Sequence, residues 1–453
     1  MSDDAPSDVS SDDDAPDFWD RVRVWTRQEH DGQWLSIGVF VAVALLGAAM
    51  ITQAQVIPGY KLNPLFDESN IIDIAWNGDG TSALAIIDGS SGYSIVRLDG
   101  HTETTILENS ANSVERIDNG WMVVGKDGYV GKCVDPCDAI ASKSFTEMDG
   151  EIEHWTNNTD GQNIIDVSSA DGVSGVLLIS DSNGDDTVRY FNADKISTAA
   201  SILDLGVRLN SITTLPDGEI IAVGSMPTKY PTWSEETNNP TSLPSMGVIF
   251  AIDIIEDMMN NDIGLIANNS NDDSTNETVS TGTTIEMILI HAGDVGKNQK
   301  YHSVMADSSG DGLAIVAGTD GAIRLSADMT ATYVKGAPRS TSAVADNNGD
   351  IWFAGDLNLE RPVLGLLESG SNTGQTVEVP QGADFHSELA VLAGDEVHFH
   401  GSSEGERVTL DPNIRNSMQS LSVLGDILFV VISLVILSMM AWNLYDNWHL
   451  GGW

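Results

Sequence analysis

Short apolar runs alternate with polar turns over most of this chain. The stretch "GDGLAIVAGTDGAIRLS" (310–326) shows the unit. Leu313–Ala317 is apolar, Gly318 breaks the run, and Asp320-Gly321 supplies a pair that tolerates positive φ. Ala322–Leu325 then resumes the apolar character, so the pattern predicts two strands joined by a tight hairpin. The hairpin recurs. In "WMVVGKDGYVGKC" (121–133), Gly125 falls on Gly318 and Asp127-Gly128 on Asp320-Gly321. "EIIAVGS" (219–225), "DIWFAGD" (350–356) and "EVHFHGS" (396–402) repeat its first half. Ahead of each stands a serine, a short strand and an Asp/Gly turn, as in "SITTLPDGEIIAVG" and "SAVADNNGDIWFAG".

Turn residues near 79, 119, 161, 218, 312, 349 and 394 mark seven units, most of them about 40 residues apart. Two intervals are longer, and the longest, 218–312, contains two polar stretches, 226–245 and 256–283, which are expected to loop out of the fold. This period, with short strands and no helical pattern, predicts an all-β fold: a seven-bladed β-propeller of four-stranded blades within residues 60–418. One blade cannot bury both of its faces, so neighbours must stack in a ring. A pair of β-sandwiches is the alternative, but it does not require one recurring turn formula.

Two further apolar stretches have a different character, at 34–57 and 419–444. Each contains a largely apolar segment of about 22 residues, roughly 33 Å as helix, enough to cross a bilayer. Arg21, Arg23 and Arg27 precede the first, and basic flanks stay inside. The expected plan is a cell-membrane protein with both termini cytoplasmic. A disordered acidic tail (1–16), in which "DDAP" occurs twice, leads to an interfacial helix (17–33) with Phe18, Val22 and Trp25 on one face. A transmembrane helix (34–57), an extracytoplasmic propeller (60–418), a second transmembrane helix (419–444) and a short cytoplasmic tail (445–453) follow.

Composition narrows the partners. The chain has 21 basic and 67 acidic residues, a net charge of -46. Phosphate contact needs clustered Lys and Arg, so nucleic acid is not an expected partner. The acids are spread along the chain and predict a strongly solvated acidic surface.

Candidate chemistry is sparse. Cys133 and Cys137 ("CVDPC") are expected to close a small disulfide loop outside the cell. Three loops read D-x-[NS]-G-D: Asp181, Asn183 and Asp185; Asp307, Ser309 and Asp311; Asp346, Asn348 and Asp350. Oxygens at positions 1, 3 and 5 suit calcium, but the bidentate Glu of an EF-hand is absent, and the same residues are ordinary turn formers. His398 and His400 alternate on one strand and read as a packed or surface pair, or as metal ligands. Arg97, Arg189, Arg324 and Arg407 recur at similar blade positions and read as structural. Trp76, Trp121 and Trp352 read as blade core. No G-x-S-x-G occurs to mark a hydrolase nucleophile.

The blade formula resembles WD40-like and BNR (Asp-box) propellers. "SADMTATY" (326–333) is similar to the Asp-box S-x-D-x-G-x-T-W through Ser326, Asp328 and Thr332, with Thr330 in place of Gly and Tyr333 in place of Trp. The resemblance implies the propeller fold and a structural turn at this motif. It implies no activity. The expected function is a binding or scaffold module for an extracellular protein or ligand, or for a membrane complex. The alternative is a propeller hydrolase or lyase with its site at the channel mouth, which charged side chains converging on the channel would favour.

Overall fold

In the computed structural model the described residues are 38–42, 59–62, 70–89, 92–99, 102–107, 111–147, 154–155, 162–180, 186–197, 199–201, 206–227, 245–256, 283–294, 298–307, 312–355, 363–378, 387–401 and 407–449. The chain divides into two units: Ile57–Arg415, and Met1–Val56 with Asn416–Trp453.

The first unit is the seven-bladed propeller. Blade 1 comprises Asn70–Trp76, Ser82–Gly89, Gly92–Asp99 and Thr102–Leu107; blade 2 comprises Ala111–Ile117, Gly120–Gly125, Val130–Val134 and Ala141–Ser142. Blade 3 is built on Asn163–Ser168, Ser174–Ser180 and Asp186–Asn192, with the short strands Lys195–Ile196, Ala200–Ser201, Phe145–Glu147 and His154–Trp155 at its outer edge. Blade 4 comprises Arg208–Thr214, Ile220–Pro227, Ser245–Glu256 and Thr283–Ala292. Blade 5 comprises Tyr301–Ala306, Gly312–Gly318, Gly321–Ser326 and Ala331–Val334; blade 6 comprises Ser342–Ala345, Ile351–Ala354, Val363–Leu367 and Gln375–Glu378. Blade 7 takes Ser387–Ala393, Glu396–Gly401 and Arg407–Leu410 from the end of the unit and Tyr60–Leu62 from its start. Each first strand packs on the next, and Ser387–Ala393 packs on Asn70–Trp76, which closes the ring.

Burial follows from this stacking. Seven hydrophobic clusters fill the seven blade interfaces, one each. Trp121 lies between blades 1 and 2, and Trp352 between blades 6 and 7, both fully buried. Trp76 is buried between blades 7 and 1. The three tryptophans are blade core, as their strand positions predict.

Three expectations change. The blade 3 turn lies at 169–173, not near 161, because the added edge strands lengthen the link from blade 2. The outermost strand of blade 7 is Tyr60–Leu62, a three-residue piece paired Tyr60↔Leu410, Lys61↔Thr409 and Leu62↔Val408. A helix spans Pro412–His449, so it starts before residue 419 and runs past residue 444. Of the expected first span, only 38–42 is described, as helix; segments 1–16 and 17–33, and the stretches 228–244 and 257–282, lie outside the described residues. Among the described residues no helix is long and apolar enough to cross a membrane.

Candidate functional site

The inner strands of six blades, all but blade 6, show a local irregularity among the described residues. Register shifts fall between Ile71 and Asp73, Ala111 and Ser113, Ile164 and Asp166, Leu209 and Ser211, Tyr301 and Ser303, and Ser387 and Leu389. Each marks a β-bulge, which spends one extra residue and re-aims the next side chain. The re-aimed groups reach the following blade. Asp73 Oδ2 accepts from Val114 N (2.8 Å) and Asp166 Oδ2 from Ile212 N (2.9 Å); in blade 6, whose inner strand shows no register shift, Ser342 Oγ also accepts from Ala390 N (3.2 Å). The extra residues do the same in the other sense: Asn112 Nδ2 donates to Ile164 O (2.7 Å) and Asn210 Nδ2 to Tyr301 O (2.6 Å); Thr341 Oγ1, just before the blade 6 inner strand, donates to Glu388 O (2.6 Å). Blade after blade is buckled along the wall of the central channel.

This network brings three carboxyls together on blades 1, 2 and 3. Ser113 Oγ lies 3.0 Å from Asp73 Oδ2 and 3.1 Å from Asp166 Oδ1, and its single hydrogen can serve only one of them. All three side chains are half-buried, touching the channel but enclosed by blades. Burial, with the charge of Asp73 added, pushes the Asp166 carboxyl up to about 6. Burial raises Asp73 too, and it raises Glu115 well above the usual range, helped by the charges of Asp166 and Asp73. Chemically the cluster can hold a proton near neutral pH. The alternation pattern did not reveal these residues, because the bulge shifts their phase.

A second constellation lies on one face of the ring. The inner strands run in the same direction, so their turns to the second strands share a face. Asp79, Asp118, Asp171, Asp217 and Asp395 sit on those turns and are exposed. Hydrogen bonds hold Asp79 and Asp171 below the usual carboxylate range: Thr81 Oγ1 and N donate to Asp79, and Ser174 N and Val173 N donate to Asp171. Arg116 and Lys195 are the exposed cations of this face among the described residues. Between blades 1 and 2 the face opens into a cleft of about 310 Å³ lined by Asn77, Asp79, Arg116, Asp118 and Asp135 among others.

Many cations are used inside the ring instead. Arg97 donates to Pro136 O and pairs with Asp138, tying blade 1 to blade 2. Arg324 donates to Ser371 O (2.9 Å) and Asn372 Oδ1 (2.6 Å) on blade 6, and its Nε lies 2.8 Å from the buried Asp307. Arg189 donates to Ser197 O within blade 3. Lys132, which the repeat position did not flag, reaches Asp171 O and Gly172 O. The recurring arginines at 97 and 324 are inter-blade staples.

The remaining candidates fall into place individually. Cys133 and Cys137 form a disulfide with 5.2 Å between Cα atoms, and both are buried in the core between blades 1 and 2. In the loop at 346–350, Asp346 Oδ1 accepts from Asn348 N and Asp350 N, and its Oδ2 accepts from Trp352 Nε1. Asp350 Oδ1 accepts from Ser369 N, and burial raises its carboxyl. Asp307 faces Arg324, while Ser309, Asp311, Asp181, Asn183 and Asp185 lie outside the described residues. Among the described residues no three His, Cys, Asp or Glu side chains converge as metal ligands. In the Asp-box-like segment, Ser326 Oγ donates to Asp328 Oδ1 (2.6 Å) and Thr330 N donates to the same oxygen, so the motif forms a turn. His398 and His400 are buried, not exposed.

No protein-family model and no curated protein matches the chain. Solved propellers resemble it. Virginiamycin B lyase from Staphylococcus aureus is 15% identical over 78% of this chain and 99% of that one, with a TM-score of 0.44. YCF48 bound to D1 peptide is 11% identical over 78% and 96%, with a TM-score of 0.45. YCF48 from Cyanidioschyzon merolae is 12% identical over 78% and 99%, with a TM-score of 0.46. These likenesses concern the propeller fold and assign this chain to no family.

Proposed function

We propose that this chain is a membrane-anchored, extracytoplasmic propeller that binds a cationic protein partner or ligand on its acidic face. The carrying observation is the set of turn carboxylates Asp79, Asp118, Asp171, Asp217 and Asp395, exposed on one face while several cations are turned into the ring. Complementary charge steers and selects partners more than it sets raw affinity. The anchor rests on the apolar stretches 34–57 and 419–444 and on the arginines before the first. Asp411 N donates to Gly59 O (3.3 Å), so the propeller begins and ends at one point, which suits two neighbouring spans.

A second reading, a hydrolase or lyase, draws on Glu115, whose raised carboxyl stands beside Asp73 and Asp166. Two of those three carboxyls are already engaged as blade buckles, which favours the binding reading.

The test is binding of a Lys/Arg-rich peptide and a neutral peptide of equal length to the full chain at low and high salt. Changing Asp79, Asp118, Asp171, Asp217 and Asp395 to Asn keeps one acceptor oxygen at each turn while removing the charge. The variant should lose about tenfold or more in affinity for the basic peptide, and most of its salt dependence. Equal affinity for both peptides, or an unchanged variant, defeats the reading.

A further inference from the structure

At the point of ring closure, between blades 7 and 1, an apolar cluster lies beside a buried group of titratable side chains. Between blades 6 and 7, Val397, Phe399, Val408 and Leu410 of blade 7 meet Trp352, Leu364 and Leu366. The opposite face of the same blade 7 strands turns toward blade 1, and there alternation places His398, His400, Arg407 and Thr409. His400 and Arg407 are cross-strand partners, as are His398 and Thr409. All four are buried: His398 is 4% exposed, His400 1%, Arg407 8% and Thr409 3%. The Trp76 ring of blade 1 meets His398 edge-on at 4.9 Å and lies 5.9 Å from the Arg407 guanidinium carbon. His398 and His400 are 6.3 Å apart. Among the described residues, neither nitrogen of His400 has a hydrogen-bond partner, and His398 Nδ1 has none either. Besides the packing of Ser387–Ala393 on Asn70–Trp76, the three-residue strand Tyr60–Leu62 ties the start of the propeller to its end by pairing with Val408–Leu410.

We propose that the seam between blades 7 and 1 is an acid-sensitive closure: protonating His398 and His400 beside Arg407 loosens the interface and releases the strap Tyr60–Leu62. Two imidazolium charges would join a guanidinium in a buried space. Like charges there cannot be screened by salt as they are at a surface. The charged groups acting on the pair are Arg407 on the adjacent strand, each histidine on the other, and Glu396, whose Oε2 lies 3.5 Å from His398 Nε2. Blade 1 contributes the neutral Trp76. Burial holds His398 down to about 3 and His400 well below its usual value, with Arg407 adding to both. Protons therefore bind the open form better, and closure weakens as the pH falls below about 6.5. Glu396 is half-buried and can offset one charge, not two.

The experiment is hydrogen exchange on the full chain at pH 7.5 and pH 5.0, reported as protection factors so that intrinsic exchange cancels. Tyr60–Leu62 and Arg407–Leu410 should lose protection on acidification, by up to about thirtyfold for each histidine. Strand Leu209–Thr214 in blade 4 should lose much less. Arg407→Met replaces the aliphatic stem and removes the guanidinium, so it should reduce the loss. His400→Phe should reduce it further, and either variant alone suffices if the other fails to fold. The inference is overturned if blades 7 and 4 lose protection together, if neither does, or if both variants keep the wild-type pH response.

Discussion

Asp166→Asn is the sharpest probe of the channel network. Asp166 accepts through Oδ2 from Ile212 N (2.9 Å) and through Oδ1 from Val167 N (2.9 Å) and Ser113 Oγ (3.1 Å). Its carboxyl titrates near 6 in the fold against an ordinary value of 3.8, because burial and Asp73 oppose its charge. The folded protein thus binds this proton more tightly than the unfolded chain. Stability tied to the group is complete below about pH 4 and is lost as the pH rises through 6. The difference is about 3 kcal/mol at pH 8. An asparagine carries no charge, so it avoids that loss. It keeps an acceptor for Ile212 N, and its amide donates to Ser113 Oγ, which frees the serine hydrogen for Asp73. It gives up the acceptor for Val167 N, at about 1 kcal/mol. The variant should be about 2 kcal/mol more stable than the wild type at pH 8 and about 1 kcal/mol less stable at pH 4. Urea unfolding of the full chain in mild detergent, followed by tryptophan fluorescence, measures both, and the seam histidines cancel at each pH. The same sign and size at both pH values would falsify the reasoning.

Cys133→Ser with Cys137→Ser should cost about 2 kcal/mol, because the sequence separation is only 4 residues and a small loop gains little from closure; an unchanged midpoint contradicts this. Arg324→Met should cost about 3 kcal/mol or more in the same unfolding assay, since it strips the cation from Asp307, whose side chain is 0% exposed, and cuts the staple to blade 6. A loss below about 1 kcal/mol means the staple is ornamental. If the D-x-[NS]-G-D loops take calcium, as their oxygen spacing suits, millimolar Ca²⁺, not Mg²⁺, should raise the melting temperature at constant ionic strength, and Asp181→Asn with Asp311→Asn should remove part of the rise; equal shifts by both cations sink it. For the anchor, protease added to intact cells should spare both terminal segments while cutting within 226–283, and terminal cleavage without permeabilisation overturns the topology.

The propeller was legible because the turn between first and second strands repeats a chemistry. Asp79, Asn119, Gly218, Gly312, Gly349 and Gly394 all lie at those turns. Blade 3 misled because two Asp-Gly pairs stand close together: Asp160-Gly161 precedes the inner strand, and Asp171-Gly172 makes the turn. Strength of turn chemistry does not say which strands a turn joins. The strap Tyr60–Leu62 was hidden because three residues carry no period, and its partner strand lies at the other end of the propeller. Asp73 and Asp166 were missed for a different reason. A bulge adds one residue, so a side chain that alternation assigns to one direction is aimed at the next blade. His398 and His400 showed their alternation plainly. That their face meets blade 1 depends on ring closure, a long-range fact no local pattern holds.

The central claim is that the acidic face receives a cationic partner. A photo-crosslinking residue placed at Asn119, on that face beside Asp118, and another placed at Thr319, in a turn between second and third strands on the opposite face, would be compared in intact cells. Asn119 should yield a discrete adduct whose crosslinked peptide is rich in Lys and Arg, weakened by raised salt, while Thr319 yields none of it. Adducts of the same peptide from both positions, or an Asn119 adduct with no basic residues at the junction, would contradict it.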